Sequence, residues 1–278
     1  MKYIEFNGIK GWFIKTARSS AVDMGVWIYL VDGCLIDAGY SRACTQVLKH
    51  ILPEQPKVLL ITHAHEDHMG CLGPIMKKIG VRGLVPPILK DAMQKLQQSR
   101  LPFYRRFIWG YPEFPDWSDV SEGESWQDDN NILQYISTPG HSVSHHVILD
   151  KKRNIVFMGD LYLGPRLTMA HPWEDPLMIA KSLRKVRDMQ PEAAFCAHQG
   201  LLKHPQLALT RKIEYIEWLV ERTRELADRG MTTKEITLQL LGKEKFISGV
   251  TNGLYSRINV IRSIIDGPQP EWPIKTSN

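Results

Sequence analysis

The chain has 278 residues, 43% of them hydrophobic, enough to bury a sizeable core, which excludes a disordered protein. Its 30 acidic and 35 basic residues leave a formal charge of +5, too slight an excess to mark a nucleic-acid footprint. Cys34, Cys44, Cys71 and Cys196 form no Cys-x-x-Cys pair, the N-terminus lacks an apolar signal run, and nothing approaches the roughly 20 apolar residues of a membrane span; a soluble, cytoplasmic protein with reduced thiols and no membrane contact is expected.

Apolar, β-branched runs bounded by turn residues predict buried strands at 26–31, 35–36, 58–61, 132–136, 147–149, 155–157 and 193–196. Helical patterns fall between several of them, at 41–50, at 70–79, and after Asp175-Pro176, where Leu177, Ile179, Leu183 and Val186 keep helical spacing. The mixture predicts an α/β layered domain over residues 1–204. From Pro205 the pattern is helical only. A long helix carrying Ile213, Ile216, Leu219, Val220, Thr223 and Leu226 stops at Gly230, Thr232-Thr233-Lys234-Glu235 offers a capping box for a second ending near Gly242, and a third covers 254–265. Residues 205–278 are read as a helical C-terminal appendage.

Residues 82–130 stand apart. Arg82 to Pro112 holds six Lys/Arg against one Asp, whereas Glu113 to Asn131 holds seven Asp/Glu and no basic residue. Aromatic residues run through both parts, and so long an excursion between strands suits a functional lid. A packed helical insertion whose aromatics are core is the equal alternative. As a lid the segment brings Phe103, Tyr104 and Trp109 to a substrate pocket, with His171, beside Trp173, on its wall.

In Val58-Leu59-Leu60-Ile61-Thr62-His63-Ala64-His65-Glu66-Asp67-His68-Met69-Gly70 an apolar strand runs into three imidazoles and a carboxylate within six positions. Along an extended strand end His63 and His65 face the same way and can bind one metal, while Asp67 and His68, where the chain turns into a helix, can face a second. Ligand-type side chains crowded this closely are costly unless a cation binds them. Glu66 is read as a solvated charge.

The run His63-Ala64-His65-Glu66-Asp67-His68 resembles the signature of the metallo-β-lactamase superfamily, which includes glyoxalase II, lactonases and small nucleases. Further stretches resemble its later motifs in order: Leu35-Ile36-Asp37-Ala38-Gly39, Thr138-Pro139-Gly140-His141-Ser142, Phe157-Met158-Gly159-Asp160 and Ala197-His198-Gln199-Gly200. The resemblance, over about residues 20–204, implies an αββα sandwich with the site along one edge. It implies His141 as third ligand with His63 and His65, Asp160 bridging both metals, His198 completing the site begun by Asp67 and His68, and Asp37 supporting the ligands from behind. His145 is read as touching substrate or supporting the ligands.

Two divalent ions sharing Asp160 would lower the pKa of a bridging water from about 15.7 towards 7, giving a hydroxide nucleophile that Asp67 orients and whose proton it carries. Nitrogen and oxygen donors suit zinc and leave iron or manganese open. Histidine at position 65, where the superfamily's diiron oxygen-reducing branch has glutamate, favours hydrolysis. The leading expectation is a metal-dependent hydrolase of a small ester, thioester or lactone. The alternatives are a metal-dependent ribonuclease or phosphodiesterase using the C-terminal helices and Arg100, Arg105 and Arg106, a mononuclear iron persulfide dioxygenase, and a metal-binding protein without catalysis. Residues 201–278 hold 12 Lys/Arg and 9 Asp/Glu, so nucleic acid is not the favoured partner, and homo-oligomerisation stays open.

Overall fold

The computed structural model describes residues 2–21, 24–129 and 131–271. Seven strands form a first sheet in chain order: β1 (Tyr3–Phe6), β2 (Ile9–Ile14), β3 (Val26–Val31), β4 (Cys34–Ile36), β5 (Val58–Leu60), β6 (Arg82–Val85) and β7 (Val120–Glu122). The first four strands pair antiparallel and β4 to β7 run parallel. A second sheet holds β8 (Ser125–Gln127), β9 (Ile132–Ser137), β10 (His146–Asp150), β11 (Ile155–Gly159), β12 (Ala193–Cys196) and β13 (Gly200–Leu202), ordered β13-β12-β11-β10-β9-β8, with β11 and β12 its parallel pair. The hairpins β1–β2 and β3–β4 turn on Asn7-Gly8 and Asp32-Gly33, all four residues at positive φ, as a primed two-residue turn requires.

The helices are α1 (Ala17–Ala21), α2 (Cys44–Ile51), α3 (Glu66–Met69), α4 (Leu72–Ile79), α5 (Pro87–Gln98), α6 (Phe103–Ile108), α7 (Pro176–Asp188), α8 (Pro205–Asp228), α9 (Thr233–Leu241), α10 (Phe246–Val250) and α11 (Arg257–Asp266). Three apolar clusters give an αββα sandwich. Between the sheets, Ile9, Tyr29, Ile36 and Leu60 meet Tyr135, Ile148, Phe157 and Phe195. Outside the first sheet, Leu35, Leu59 and Ile61 pack on Val47, Ile75, Leu89 and Met93 of α2, α4 and α5. Outside the second, Val147, Val156 and Met158 pack on Ile179, Leu183, Ile213, Ile216, Ile236 and Ile261 of α7, α8, α9 and α11.

The predicted capping box of α9 is present on Thr232 and Glu235, and at the start of α7 Asp175 accepts from the Leu177 and Met178 amides. Residues 82–130 are built differently from a free excursion. β6, β7 and β8 belong to the sheets, and Leu89, Met93 and Leu96 of α5 belong to the core, so α6 is the portion left to face the site. Of the helices after Pro205, α8, α9 and α11 share one apolar cluster with α7 and the second sheet. Among the described residues no helix is long and apolar enough to cross a membrane, and all four cysteines are free thiols.

Candidate metal centre

Every motif residue stands just past the end of a strand, along one edge of both sheets. Asp37 follows β4, His63 and His65 follow β5, Asp67 and His68 lie on α3, His141 precedes β10, Asp160 follows β11, and His198 lies in the turn from β12 to β13. Close backbone approaches set their positions. At Gly70 an added Cβ would stand 2.6 Å from the Tyr40 Cα, so only glycine lets α3 lie against the chain leaving β4, where the Ala38 amide donates to the His68 carbonyl at 2.6 Å. Gly159, at φ +48°, leaves room for His145 and Thr62, each 2.8 Å from where its Cβ would be.

The side chains converge in two clusters: His63, His65 and His141; and Asp67, His68, Asp160 and His198. In the first, His65 Nδ1 stands 3.0 Å from His63 Nε2 and 3.1 Å from His141 Nε2. In the second, Asp160 Oδ1 lies 3.4 Å from His68 Nε2 and 3.3 Å from His198 Nε2, and Asp67 Oδ2 lies 3.7 and 3.4 Å from the same two atoms. Donors about 2.1 Å from a common ion stand about 3.0 Å apart at right angles and about 3.4 Å apart at tetrahedral angles, so both spacings suit an ion at the centre. The other Asp160 oxygen, Oδ2, points to the first cluster, 3.5 Å from His141 Nε2. His68 Nε2 and Asp160 Oδ1 are buried with no hydrogen-bond partner, which is costly for polar atoms that nothing else binds.

The outward ring nitrogens have partners. His68 Nδ1 is 2.8 Å from Asp37 Oδ2, His198 Nδ1 is 2.6 Å from the Gly25 carbonyl, and His63 Nδ1 is 3.1 Å from Thr62 Oγ1. His141 Nδ1 is 3.3 Å from Glu174 Oε2, and His65 Nε2 is 3.1 Å from Glu271 Oε1. A proton held on the outward nitrogen leaves the lone pair on the inward one, the arrangement in which each ring could act as a metal ligand. Asp37 is itself held by the Thr62 amide at 2.8 Å and the Thr62 hydroxyl.

Burial, aided by neighbouring imidazoles or by Arg105, pushes His63 and His65 well below the ordinary histidine value, the neutral form a ligand needs. The second cluster differs. Burial opposes charge there too, yet Asp160 and Asp67 outweigh it and raise His198 to about 10, while Asp160, Asp67 and Asp37 raise His68 well above its ordinary value. Burial works against the Asp160 carboxylate, and His198 and His68 more than reverse it. A pocket with this carboxylate density calls for positive charge.

A cleft of about 240 Å³ opens over the clusters, enough for the reacting end of a small molecule. His65, Asp67, His141, Asp160 and His198 reach its floor, and Tyr104, Ile108, Trp109, His171, Ile247 and Tyr255 are among its walls. Of the expected pocket residues, Tyr104, Trp109 and His171 line it. Phe103 does not: it is 73% exposed, because the face of α6 turned to the cleft carries Tyr104 and Ile108 and leaves Phe103 stacked on Phe107 in solvent. His145 does not reach the cleft either. It is fully buried, its Nε2 accepting from the Asp160 amide at 3.1 Å and its Nδ1 2.9 Å from Thr138 Oγ1, so it supports Asp160 from behind.

Glu66 is not a solvated charge: it is buried and bound by Arg105 through Nε and Nη2. That pairing buries Arg105 in the wall of the cleft with its guanidinium bound to Glu66. The two carboxylates Glu174 and Glu271 carry no motif signal. Glu174 also takes the His171 amide and ring Nδ1, each at 3.0 Å, and His171 Nε2 is 3.0 Å from the Tyr104 hydroxyl, so one hydrogen-bonded chain joins the cleft wall to His141. Glu174 lies three residues from His171, a spacing that hints at local pairing, whereas Glu271 is 206 residues from His65.

Residues 22–198 match the sequence model of the metallo-beta-lactamase superfamily. The chain belongs to this superfamily. It is 24% identical over 234 residues to an atrochrysone carboxyl ACP thioesterase of Aspergillus fumigatus, covering 83% of this chain and 64% of that protein. It is 25% identical over 177 residues to a hydroxyacylglutathione hydrolase of a Chelativorans species, covering 63% of this chain and 61% of the relative. Its fold is similar to that of a metallo-beta-lactamase family protein from Thermus thermophilus, with a TM-score of 0.64 at 18% identity over 93% of this chain and 91% of the other. The chain spans between 53% and 64% of the length of the first five curated relatives it matches. The superfamily's metals are divalent, typically zinc, and both clusters fit such ions in donor type and spacing.

Proposed function

We propose that this protein is a hydrolase of small esters, thioesters or lactones that holds two divalent ions, zinc before iron or manganese. The observation that carries the reading is the ring orientation: five imidazoles turn one nitrogen inward while an acceptor stands at the other, and Asp160 points one oxygen at each cluster. His63, His65 and His141 would hold one ion and Asp67, His68 and His198 the other, with Asp160 offering an oxygen to each cluster. Ions bound there would supply a water-derived nucleophile at neutral pH and polarise the bond to be cleaved.

The chain's own groups do the rest. Asp67, on the cleft floor with Oδ2 3.4 Å from His198 Nε2, orients the attacking water and takes its proton. Glu174 accepts a hydrogen bond from His171 Nδ1, so His171 Nε2 accepts from the Tyr104 hydroxyl, which leaves the Tyr104 oxygen, on the cleft wall, as an acceptor for substrate. Ile108, Trp109 and Ile247 exclude water from the reacting centre. The relatives named thioesterase and hydroxyacylglutathione hydrolase support a thioester or ester substrate.

The test is a panel of thioester, lactone, aryl phosphodiester and RNA substrates offered to protein of measured metal content. Thioester or lactone turnover that stops on chelation and returns with Zn²⁺ is expected. Ester turnover that survives chelation, or faster turnover of RNA or the phosphodiester, overturns the proposal.

A further inference from the structure

The segment after α11 returns to the metal centre. The Gln269 amide donates to the Pro172 carbonyl at 2.9 Å, and two residues on Glu271 is buried at the site, 9% exposed. Its Oε1 stands 3.1 Å from His65 Nε2 and its Oε2 accepts from the Val143 amide at 3.2 Å, two residues beyond His141. His65 is the one imidazole of the centre that turns Nδ1 rather than Nε2 towards its cluster, so its outward nitrogen is Nε2, at the far tip of the ring. The loop from β5 to α3, which carries His65, supplies no acceptor to that tip in the way Thr62 serves His63.

We propose that Glu271 is a positioning residue of the first metal site: its carboxylate accepts the His65 Nε2 proton, holds the tautomer whose Nδ1 lone pair faces the metal, and ties the His65 and His141 loops together. The inference rests on the metal assignment made above. It adds that a ligand set drawn from residues 63–198 is completed by a carboxylate from beyond the superfamily match at 22–198. The chemistry at the ring is a hydrogen bond from a neutral imidazole to an anion, which raises the basicity of the opposite nitrogen and costs the ring its freedom to flip. Glutamine retains one carbonyl acceptor and can partly replace it, whereas alanine leaves Nε2 and the Val143 amide without this partner.

The test is metal binding by full-length protein, read by competition between the protein and a chromophoric chelator for Zn²⁺ and by the visible spectrum of the Co²⁺-loaded form. Glu271→Ala is expected to weaken the tighter or the weaker of the two binding steps, and only one, by about 10–100-fold, with Glu271→Gln in between. The Nε2 proton of His65, a downfield imidazole signal in the zinc-loaded protein, is expected to exchange faster with solvent in Glu271→Ala. His141→Ala identifies the first site's binding step. If His141→Ala removes that step while Glu271→Ala binds within twofold of wild type with the Co²⁺ spectrum unchanged, the role of Glu271 is refuted and the metal assignment stands. If His141→Ala itself leaves both steps unchanged, the metal assignment fails, and the inference fails with it.

Discussion

The pair Glu66–Arg105 ties the metal-binding turn to α6, and its removal has a magnitude that can be worked out. Glu66 is 1% exposed and precedes Asp67; Arg105 reaches it from 39 residues away and lies with its guanidinium carbon 5.8 Å from the Trp173 ring centre. Arg105→Met keeps the unbranched stem of the side chain as far as the Nε position and removes the guanidinium charge. It leaves a carboxylate in a dry site, a loss of about 3–5 kcal/mol where one partner of a buried pair is deleted. The loss has a ceiling, because Glu66 can take up a proton instead: from an ordinary value near 4.3 this costs about 3.7 kcal/mol at pH 7, at about 1.4 kcal/mol per pH unit. Burial already drives the Glu66 carboxyl upward, with Arg105 opposing it. With Arg105 present the folded-state value already lies above the unfolded one, and without it lies further above, so the variant loses more stability than wild type as pH rises above the unfolded value. The expected destabilisation is thus about 3–4 kcal/mol at pH 7 and roughly 1 kcal/mol less at pH 6. Glu66→Leu alone strands the guanidinium, whereas the double variant Glu66→Leu/Arg105→Met, apolar on both sides, should fall within about 1–2 kcal/mol of wild type. Urea denaturation of all four proteins at saturating Zn²⁺ reads these differences. Single losses below about 1 kcal/mol, or a double variant whose loss equals their sum, would refute the reasoning.

Three further outcomes are expected. Asp160→Asn removes the carboxylate shared by both clusters, so bound metal measured by atomic emission should drop below two per chain and turnover should fall by more than about a hundredfold, beyond the usual effect of a supporting residue; unchanged stoichiometry counts against the shared role. In metal-free protein His198, raised to about 10 from 6.5, adds stability that is full below pH 6.5 and lost as pH rises towards 10, so the gain in melting temperature on adding Zn²⁺ should grow from pH 6 to pH 9; a gain that shrinks over that range contradicts it. Arg153 bonds both Asp32 oxygens and the fully buried Asp150, joining the β3–β4 and β10–β11 hairpins, so Arg153→Ala should cost about 3 kcal/mol in urea denaturation and leave metal binding untouched. Hydrogen bonds from Arg153 hold the Asp32 carboxyl below its usual value, so that part of the stability is present at neutral pH and lost as pH falls through the carboxylate range, and the variant should show a shallower acid limb.

Much of the fold is legible in the sequence because the central strands are apolar on both faces. The run Val26–Val31 and the segment Ala193–Cys196 are buried throughout, and their apolar limits coincide with the strand ends. The N-terminal hairpin, β1 and β2, is not among the predicted strands although Asn7-Gly8 is a strong hairpin signal, because β1 alternates only between exposed and half-buried positions and reads as surface. α10, at five residues, is too short for a helical period to show. Within the site, the side chains that gather are those crowded into motifs. Glu66 reads wrongly as solvated because a charge next to ligands carries no mark of burial; its partner is 39 residues distant and arrives only when α6 docks. Phe103 is misassigned for the opposite reason: an aromatic in a basic stretch is equally compatible with either face of a six-residue helix. Spacing gives no hint of Glu271, whose contact with His65 exists only once the chain has passed through α8 to α11.

The distribution of these acceptors bears on what similarity to other proteins can convey here. Ligand identity is concentrated in short motifs between residues 63 and 198, and the superfamily match covers that span. Ring orientation depends on a carbonyl at Gly25 and a carboxylate at Glu174, both within the match at 22–198, and on a carboxylate at Glu271, which lies beyond it. The cleft has the same division. Its floor is made by the motif residues, but Ile247, Thr251 and Tyr255 come from α10 and the segment after it, beyond the match, and the Tyr255 ring lies 5.0 Å from that of His171. These side chains stand over the floor, so under the proposed function exchanging them is expected to change which of a panel of esters and thioesters is turned over, while the metal content per chain stays unchanged. For this chain, selectivity is therefore to be sought in Tyr104, Ile247 and Tyr255 rather than in the histidines.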